Sequence, residues 1–260
     1  MNLYKILYKN LTVVIFSIFF LTPHLKAEEE HISLPKQDWS FKKPWGAFDR
    51  AAQQRGFAVY KEVCSTCHSM SLIAYRNLRD IGLSEDAIKA IASQYQIGDG
   101  PNDEGEMFER PGLPSDKFKN PYSNEKAARA ANNGAYPPDL SLIIKARPEG
   151  ADYIYNLLTG YDKAPTDVKI QEGMYYNKYF TGHNIAMPPP LTTDGQVTYA
   201  DETPATVQQM AKDVVTFLAW AAEPELEVRH RTGIKTITFL IVLSVLLYFV
   251  NRKIWAKIKH

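Results

Sequence analysis

Two thiols three positions apart and an imidazole directly after them, Cys64-Ser65-Thr66-Cys67-His68, make a C-x-x-C-H motif. That pattern is the attachment site of a c-type haem. Each thiol can bond one vinyl edge of a porphyrin, and the adjacent imidazole then lies under the iron as its proximal ligand. The chain has 2 cysteines, both inside the motif. A structural zinc site needs about four ligands in closed geometry, and no further Cys or Cys/His pair stands in the sequence to complete one. A thioredoxin-like dithiol follows a strand, and no strand-like run precedes Cys64. The motif predicts one covalently attached c-type haem.

A proximal histidine leaves one axial position, and its occupant decides the chemistry. An open position suits gas or peroxide chemistry, whereas a methionine gives a low-spin, high-potential electron carrier. Met70 stands too close to His68 to reach the opposite haem face. Met107, Met174, Met187 and Met210 remain, with His183 as the imidazole alternative. Met210 falls on the apolar face of a predicted helix, and Met107 lies in an acidic loop. Met187 is followed by Pro188-Pro189-Pro190, which stiffens the backbone bearing an otherwise flexible thioether. The proline run favours Met187. A buried methionine in a rigid loop is the plainer reading of the same residues.

These groups need elements to position them. Asp49 is a suitable N-cap for a helix with small or apolar residues at Ala52, Gly56, Val59/Tyr60 and Val63, and that helix runs straight into Cys64. A second helix is expected over Ser84–Tyr95, capped by Ser84, and short ones over 124–132 and 151–159. The stretch 98–122, rich in Gly, Pro, Asp and Glu, shows no periodicity and predicts a long loop; a second Pro/Gly-rich stretch covers 161–200. Thr203-Pro204 signals a helix start, with Thr as cap and Pro at the first position. Val207, Met210, Val214, Phe217, Leu218 and Ala221 then form an apolar face. Pairing this helix with the one that delivers Cys64 would clasp a porphyrin edge. Upstream, 28–44 reads as an extended polar segment held by Trp39 and Trp45.

The two ends differ from the middle. Residues 1–27 combine Lys5 and Lys9, the apolar stretch Leu11–Leu21 and a small residue before Glu28, the pattern of a signal peptide. Thr236–Val250 carries no charge and is followed by Arg252, Lys253, Lys257 and Lys259. This predicts a transmembrane anchor over 229–251 and a basic cytoplasmic tail over 252–260. Between them, 28–228 is the exported domain, on the periplasmic side of a bacterial inner membrane. There, 20 basic side chains face 29 acidic ones. A net negative field disfavours nucleic acid and suits a basic partner, although solubility alone also accounts for it.

Several runs resemble the cytochrome c1 family: Arg55–Ser71 (RGFAVYKEVCSTCHSMS), Asp99–Asn102 (DGPN), Gly105–Phe108 (GEMF) and Ala128–Asp139 (ARAANNGAYPPD). So do Leu157–Tyr161 (LLTGY), Ile185–Pro190 (IAMPPP) and Thr203–Glu225 (TPATVQQMAKDVVTFLAWAAEPE). The resemblance covers 35–260 with the motifs in family order. It implies a mainly α, class I c-type cytochrome domain with long loop insertions and one C-terminal transmembrane helix. Cys64 and Cys67 would carry the thioether bonds, His68 and Met187 would ligate the iron, Arg147 and Tyr153 would meet the haem propionates, and Asn132 and Pro138 would line the crevice. Some family members brace the Met-bearing region with a disulfide, for which this chain has no cysteines.

The implied role is the electron-transfer haem subunit of the cytochrome bc1 complex, not an enzyme by itself. It would sit beside cytochrome b in a dimeric complex, accept one electron from the Rieske iron–sulfur protein and reduce a cytochrome c. Two rivals belong to other classes. A haem peroxidase usually needs an open axial site or a second haem, and a single C-x-x-C-H speaks against it. A free-standing membrane-anchored shuttle would not need insertions as large as 98–122 and 161–200.

Overall fold

The structure, a computed structural model, describes residues 32–166 and 168–256. The expected signal peptide and the last four residues of the basic tail lie outside the described residues. The domain is mainly helical, with two small antiparallel strand pairs.

Helix α1 spans Arg50–Glu62 and begins where Asp49 accepts hydrogen bonds from the Ala51 and Ala52 N–H groups. These satisfy donors that a helix start leaves unpaired. Helix α2 (Glu85–Ala92) is capped by Ser84 and α3 (Glu125–Ala131) by Asn124. Helix α4 covers Ala151–Thr159 and α5 Val207–Ala222.

The expected pairing of the two helices is present, with α1 packed on α5. Gly56 makes it close: a Cβ there would lie 2.1 Å from the Asp213 carbonyl oxygen. On either side Phe57 and Tyr60 pack on Phe217, with ring centroids 5.6 and 5.8 Å apart. Phe217 and Trp220 are fully buried, and burial of such a side chain stabilises by about 1.5–3 kcal/mol. A polar lock crosses the same interface. Asp213, wholly buried on α5, accepts from Arg55 Nε at 2.8 Å, Arg55 Nη2 at 3.0 Å and Gln209 Nε2 at 3.0 Å. Arg55 Nη1 also reaches Asp201 at 2.7 Å.

Three expectations need correction. The stretch 98–122 is not all loop: β1 (Gln96–Asp99) pairs with β2 (Phe108–Pro111), and Arg110 bridges Asp99 and Asp116. Both faces of this hairpin are polar or half-exposed, so no alternation marks it in the sequence. Helix α5 starts three residues later than Thr203-Pro204 suggests, with Thr206 as its cap. The intervening backbone is taken by tertiary bonds, from Gly195 N–H to the Ala205 carbonyl and from Val207 N–H to Asp194. Trp45 is no anchor. It stands 73% exposed on a turn whose inner side is filled by Gly46 against Ser40 and Phe41. Trp39 does anchor: its indole N–H donates to Asp152 at 2.7 Å, where Lys42 also pairs.

The stretch 161–200 is largely irregular, with one pair of two-residue strands, β3 (Tyr175–Tyr176) and β4 (Asn184–Ile185). Helix α6 runs Leu226–Trp255, 30 residues or about 45 Å at 1.5 Å per residue. Its most apolar window has a mean hydropathy of 2.2 and is exposed throughout, so it is long and apolar enough to cross a membrane. The base of α6 is bolted to the domain. Glu227 accepts from Phe48 N–H and Arg50, and His230 pairs with the Gly46 carbonyl.

Candidate haem site

The attachment motif occupies the end of α1. Beyond Glu62 the chain tightens into a 3-10 turn, Cys64–Thr66, and the Cys67 and His68 N–H groups both donate to the Cys64 carbonyl. The two residues between the cysteines serve this turn. Ser65 Oγ donates to the Lys61 carbonyl and Thr66 Oγ1 to the Val63 carbonyl, each at 2.7 Å, so carbonyls at a helix end find partners. Neither thiol is in a disulfide. Burial pushes the Cys64 thiol up to about 12, helped by Cys67.

His68 is oriented from a distance. Its Nδ1 lies 2.8 Å from the carbonyl oxygen of Pro138, 70 positions along the chain. A carbonyl only accepts, so Nδ1 carries the proton and Nε2 presents its lone pair. That arrangement is how a protein aims an imidazole at a metal. Burial holds His68 below its ordinary value, keeping the imidazole neutral and able to ligate.

Pro138 is held in turn by its neighbour. Asp139 accepts from Ser69 Oγ, Ser71 N–H and Ser141 N–H, each at 2.8 Å, and the Leu140 N–H donates to the Ser69 carbonyl. The segment 137–141 is thereby riveted to 68–72. Burial alone would raise the Asp139 carboxyl, but the bonds from Ser141, Ser71 and Ser69 outweigh it and hold it down to about 2. Asp139 was not singled out as a site residue by sequence; its only signal was its place after Pro137-Pro138.

The other candidates fall into two groups. Asn132, at the end of α3, donates to the Tyr122 hydroxyl and the Ala128 carbonyl, so its amide stabilises the helix end. Arg147 is exposed, with Nη1 on the Ala146 carbonyl. Tyr153 is half-buried on α4; burial raises its hydroxyl, and the charge of Arg147 opposes that rise.

Met187 is half-buried, and its carbonyl accepts from the Tyr161 hydroxyl at 3.0 Å. The rival sulfurs are placed differently. Met210 is fully buried in the core, Met107 is 71% exposed near β2, and Met174 lines an open cavity of about 320 Å³ with Asn133, Glu172, Gly173 and Ala186. The His183 Nδ1 pairs with the Asn177 carbonyl. Among the described residues, no cluster of three or more His, Cys, Asp or Glu side chains is arranged to hold a metal ion. The donor set fits an iron carried by a tethered porphyrin: a neutral imidazole with a directed lone pair, two unpaired cysteines one turn away, and a thioether in a proline-stiffened segment.

A model of the Cytochrome C1 family matches residues 39–258. The chain belongs to the cytochrome c1 family. It is 49% identical over 251 residues to cytochrome c1 of Rhodospirillum rubrum, covering 90% of this chain and 92% of that one. It is 52% identical over 253 residues to a cytochrome b/c1 of Bradyrhizobium diazoefficiens, covering 89% of this chain but 37% of that longer protein. A Candida albicans relative named as the cytochrome b-c1 complex catalytic subunit is 48% identical over 237 residues, with 91% and 82% covered.

Proposed function

We propose that the chain is the membrane-anchored, single-haem electron-transfer subunit of a cytochrome bc1 complex. The observation that carries this reading is the His68–Pro138 contact directly after two unpaired cysteines. When bound, the haem supplies a one-electron iron couple. Cys64 and Cys67 would tether it, and His68 Nε2 and the Met187 sulfur would ligate the iron. Ligation by a thioether together with an imidazole would favour the reduced state and raise the potential. Arg147 and Tyr153 would hold the propionates, while Asn132 and the Pro138 segment would line the crevice.

The chain receives an electron from the Rieske iron–sulfur protein and delivers it to a cytochrome c. Quinol oxidation takes place elsewhere in the complex, beside cytochrome b. The excess of acid over base in 28–228 supports a basic acceptor, because complementary charge speeds transient encounter. Arg252, Lys253, Lys257 and Lys259 support an anchor over 229–251 whose end faces the cytoplasm, with the domain on the periplasmic side of the bacterial inner membrane. The names of the relatives, a b-c1 complex subunit and a cytochrome b/c1, support the partnership with cytochrome b.

The ligand assignment is tested by Met187→Ala in the full chain. The ferrous protein should then bind carbon monoxide and the midpoint potential should fall. An unchanged potential with no carbon monoxide binding would remove Met187 from the ligand role.

A further inference from the structure

The segment bearing Met187 is irregular, and the sequence offers no disulfide to brace it: both cysteines are in the attachment motif. Two side chains far apart in sequence hold it instead. The Tyr161 hydroxyl donates to the carbonyl of Met187 itself, across 26 positions, at 3.0 Å. Tyr161 also forms an antiparallel bridge with Asn177. Asn177 is fully buried and its polar groups are occupied. Its Nδ2 donates to the Leu157 carbonyl at the end of α4, its Oδ1 accepts from Tyr179 N–H, and its N–H donates to the His183 carbonyl.

The contact is too tight for any residue but glycine at position 160. A Cβ on Gly160 would lie 2.5 Å from the Tyr179 ring and 2.6 Å from the Asn156 carbonyl. The C-terminal end of α4, itself packed in the core, is thus joined through Gly160–Tyr161 and Asn177 to the strand pair that leads into Met187.

We propose that Tyr161 is a positioning residue for the axial thioether: its hydroxyl pins the Met187 backbone so that the sulfur has one place to stand. The proposal rests on Met187 as the distal ligand. Tyr161→Phe keeps the ring and removes one oxygen, so the fold is retained and the pin alone is lost.

The test compares wild type, Tyr161→Phe and Met187→Ala as full chains in mild detergent, each with its haem attached. Three quantities are read: the near-infrared sulfur-to-iron charge-transfer band, the midpoint potential and the rate of imidazole binding to the ferric protein. In Tyr161→Phe the band should weaken on mild warming, the potential should fall, and imidazole should enter roughly fivefold faster, the factor that one ordinary neutral hydrogen bond is worth. A merely structural tyrosine would lower the melting temperature and leave these three unmoved. Band, potential and imidazole rate equal to wild type in Tyr161→Phe, with the band lost in Met187→Ala, would overturn this proposal and leave the ligand reading standing. A band retained in Met187→Ala would overturn both.

Discussion

Asp213→Asn isolates the polar lock between α1 and α5. The carboxylate has two oxygens and receives three donors, Arg55 Nε on Oδ2 and Arg55 Nη2 with Gln209 Nε2 on Oδ1. An asparagine keeps one acceptor oxygen. Placed to save the pair of bonds at Oδ1, it turns an NH₂ group toward Arg55 Nε, donor against donor, and leaves the guanidinium without its buried counter-charge. Removing one member of a buried ion pair costs about 3–5 kcal/mol. Arg55 keeps its bond to Asp201, which argues for the lower end, about 3 kcal/mol. A domain of this size loses roughly 2–4 °C of melting temperature per kcal/mol, so the expected fall is roughly 6–12 °C. The haem spectrum and potential should not change, because the lock lies on the scaffold. Replacing both partners, Arg55→Met with Asp213→Leu, should recover most of the loss, since apolar residues of similar volume remove the need for a counter-charge. The assay is thermal melting of the haem-loaded protein followed by circular dichroism. A single variant melting within about 2 °C of wild type, roughly 1 kcal/mol or less, or a double variant worse than the single, would refute the reasoning.

Further outcomes follow from the same contacts. Gly56→Ala should destabilise despite alanine's advantage of about 1 kcal/mol in a helix. Its Cβ meets the Asp213 carbonyl at 2.1 Å, and overpacking costs about 1–3 kcal/mol; a urea midpoint at or above wild type would contradict this. Asp139 titrates at about 2 in the folded domain, below the ordinary carboxylate value of about 4. A depressed folded value means stability that is complete above about pH 4 and lost as pH falls through about 2. The stability gap between wild type and Asp139→Asn should therefore close over that window in acid unfolding curves. A gap constant from neutral pH down to pH 2 would show that the carboxylate contributes nothing as a charge.

What the sequence disclosed was mostly local. Asp49 and Ser84 cap the helices they precede, because each cap is a bond between residues two or three positions apart. The apolar spacing of α5 and the run that forms α6 likewise need only their own periods. The C-x-x-C-H motif was legible for the same reason.

What stayed hidden depends on partners far along the chain. The β1–β2 hairpin is held by backbone pairing and by Arg110 rather than by an apolar face. Thr203 and Thr206 are equally good caps by type, and the choice between them is made by Asp194 and Gly195. The roles of Pro138 and Tyr161 are contacts across 70 and 26 positions, which no spacing rule reaches. The resemblance implies a place for Pro138 at the crevice; the fold shows a contact the resemblance did not give, a Pro138 carbonyl that fixes the tautomer of His68.

The most direct test of the central claim is purification of the full chain from its native membrane in mild detergent, assayed for quinol:cytochrome c reductase activity with haem spectra recorded alongside. B-type haem and an iron–sulfur subunit should come with the chain, and the preparation should be active. A single c-type haem, with no b-type partner and no activity, would contradict that claim and leave a free-standing anchored shuttle.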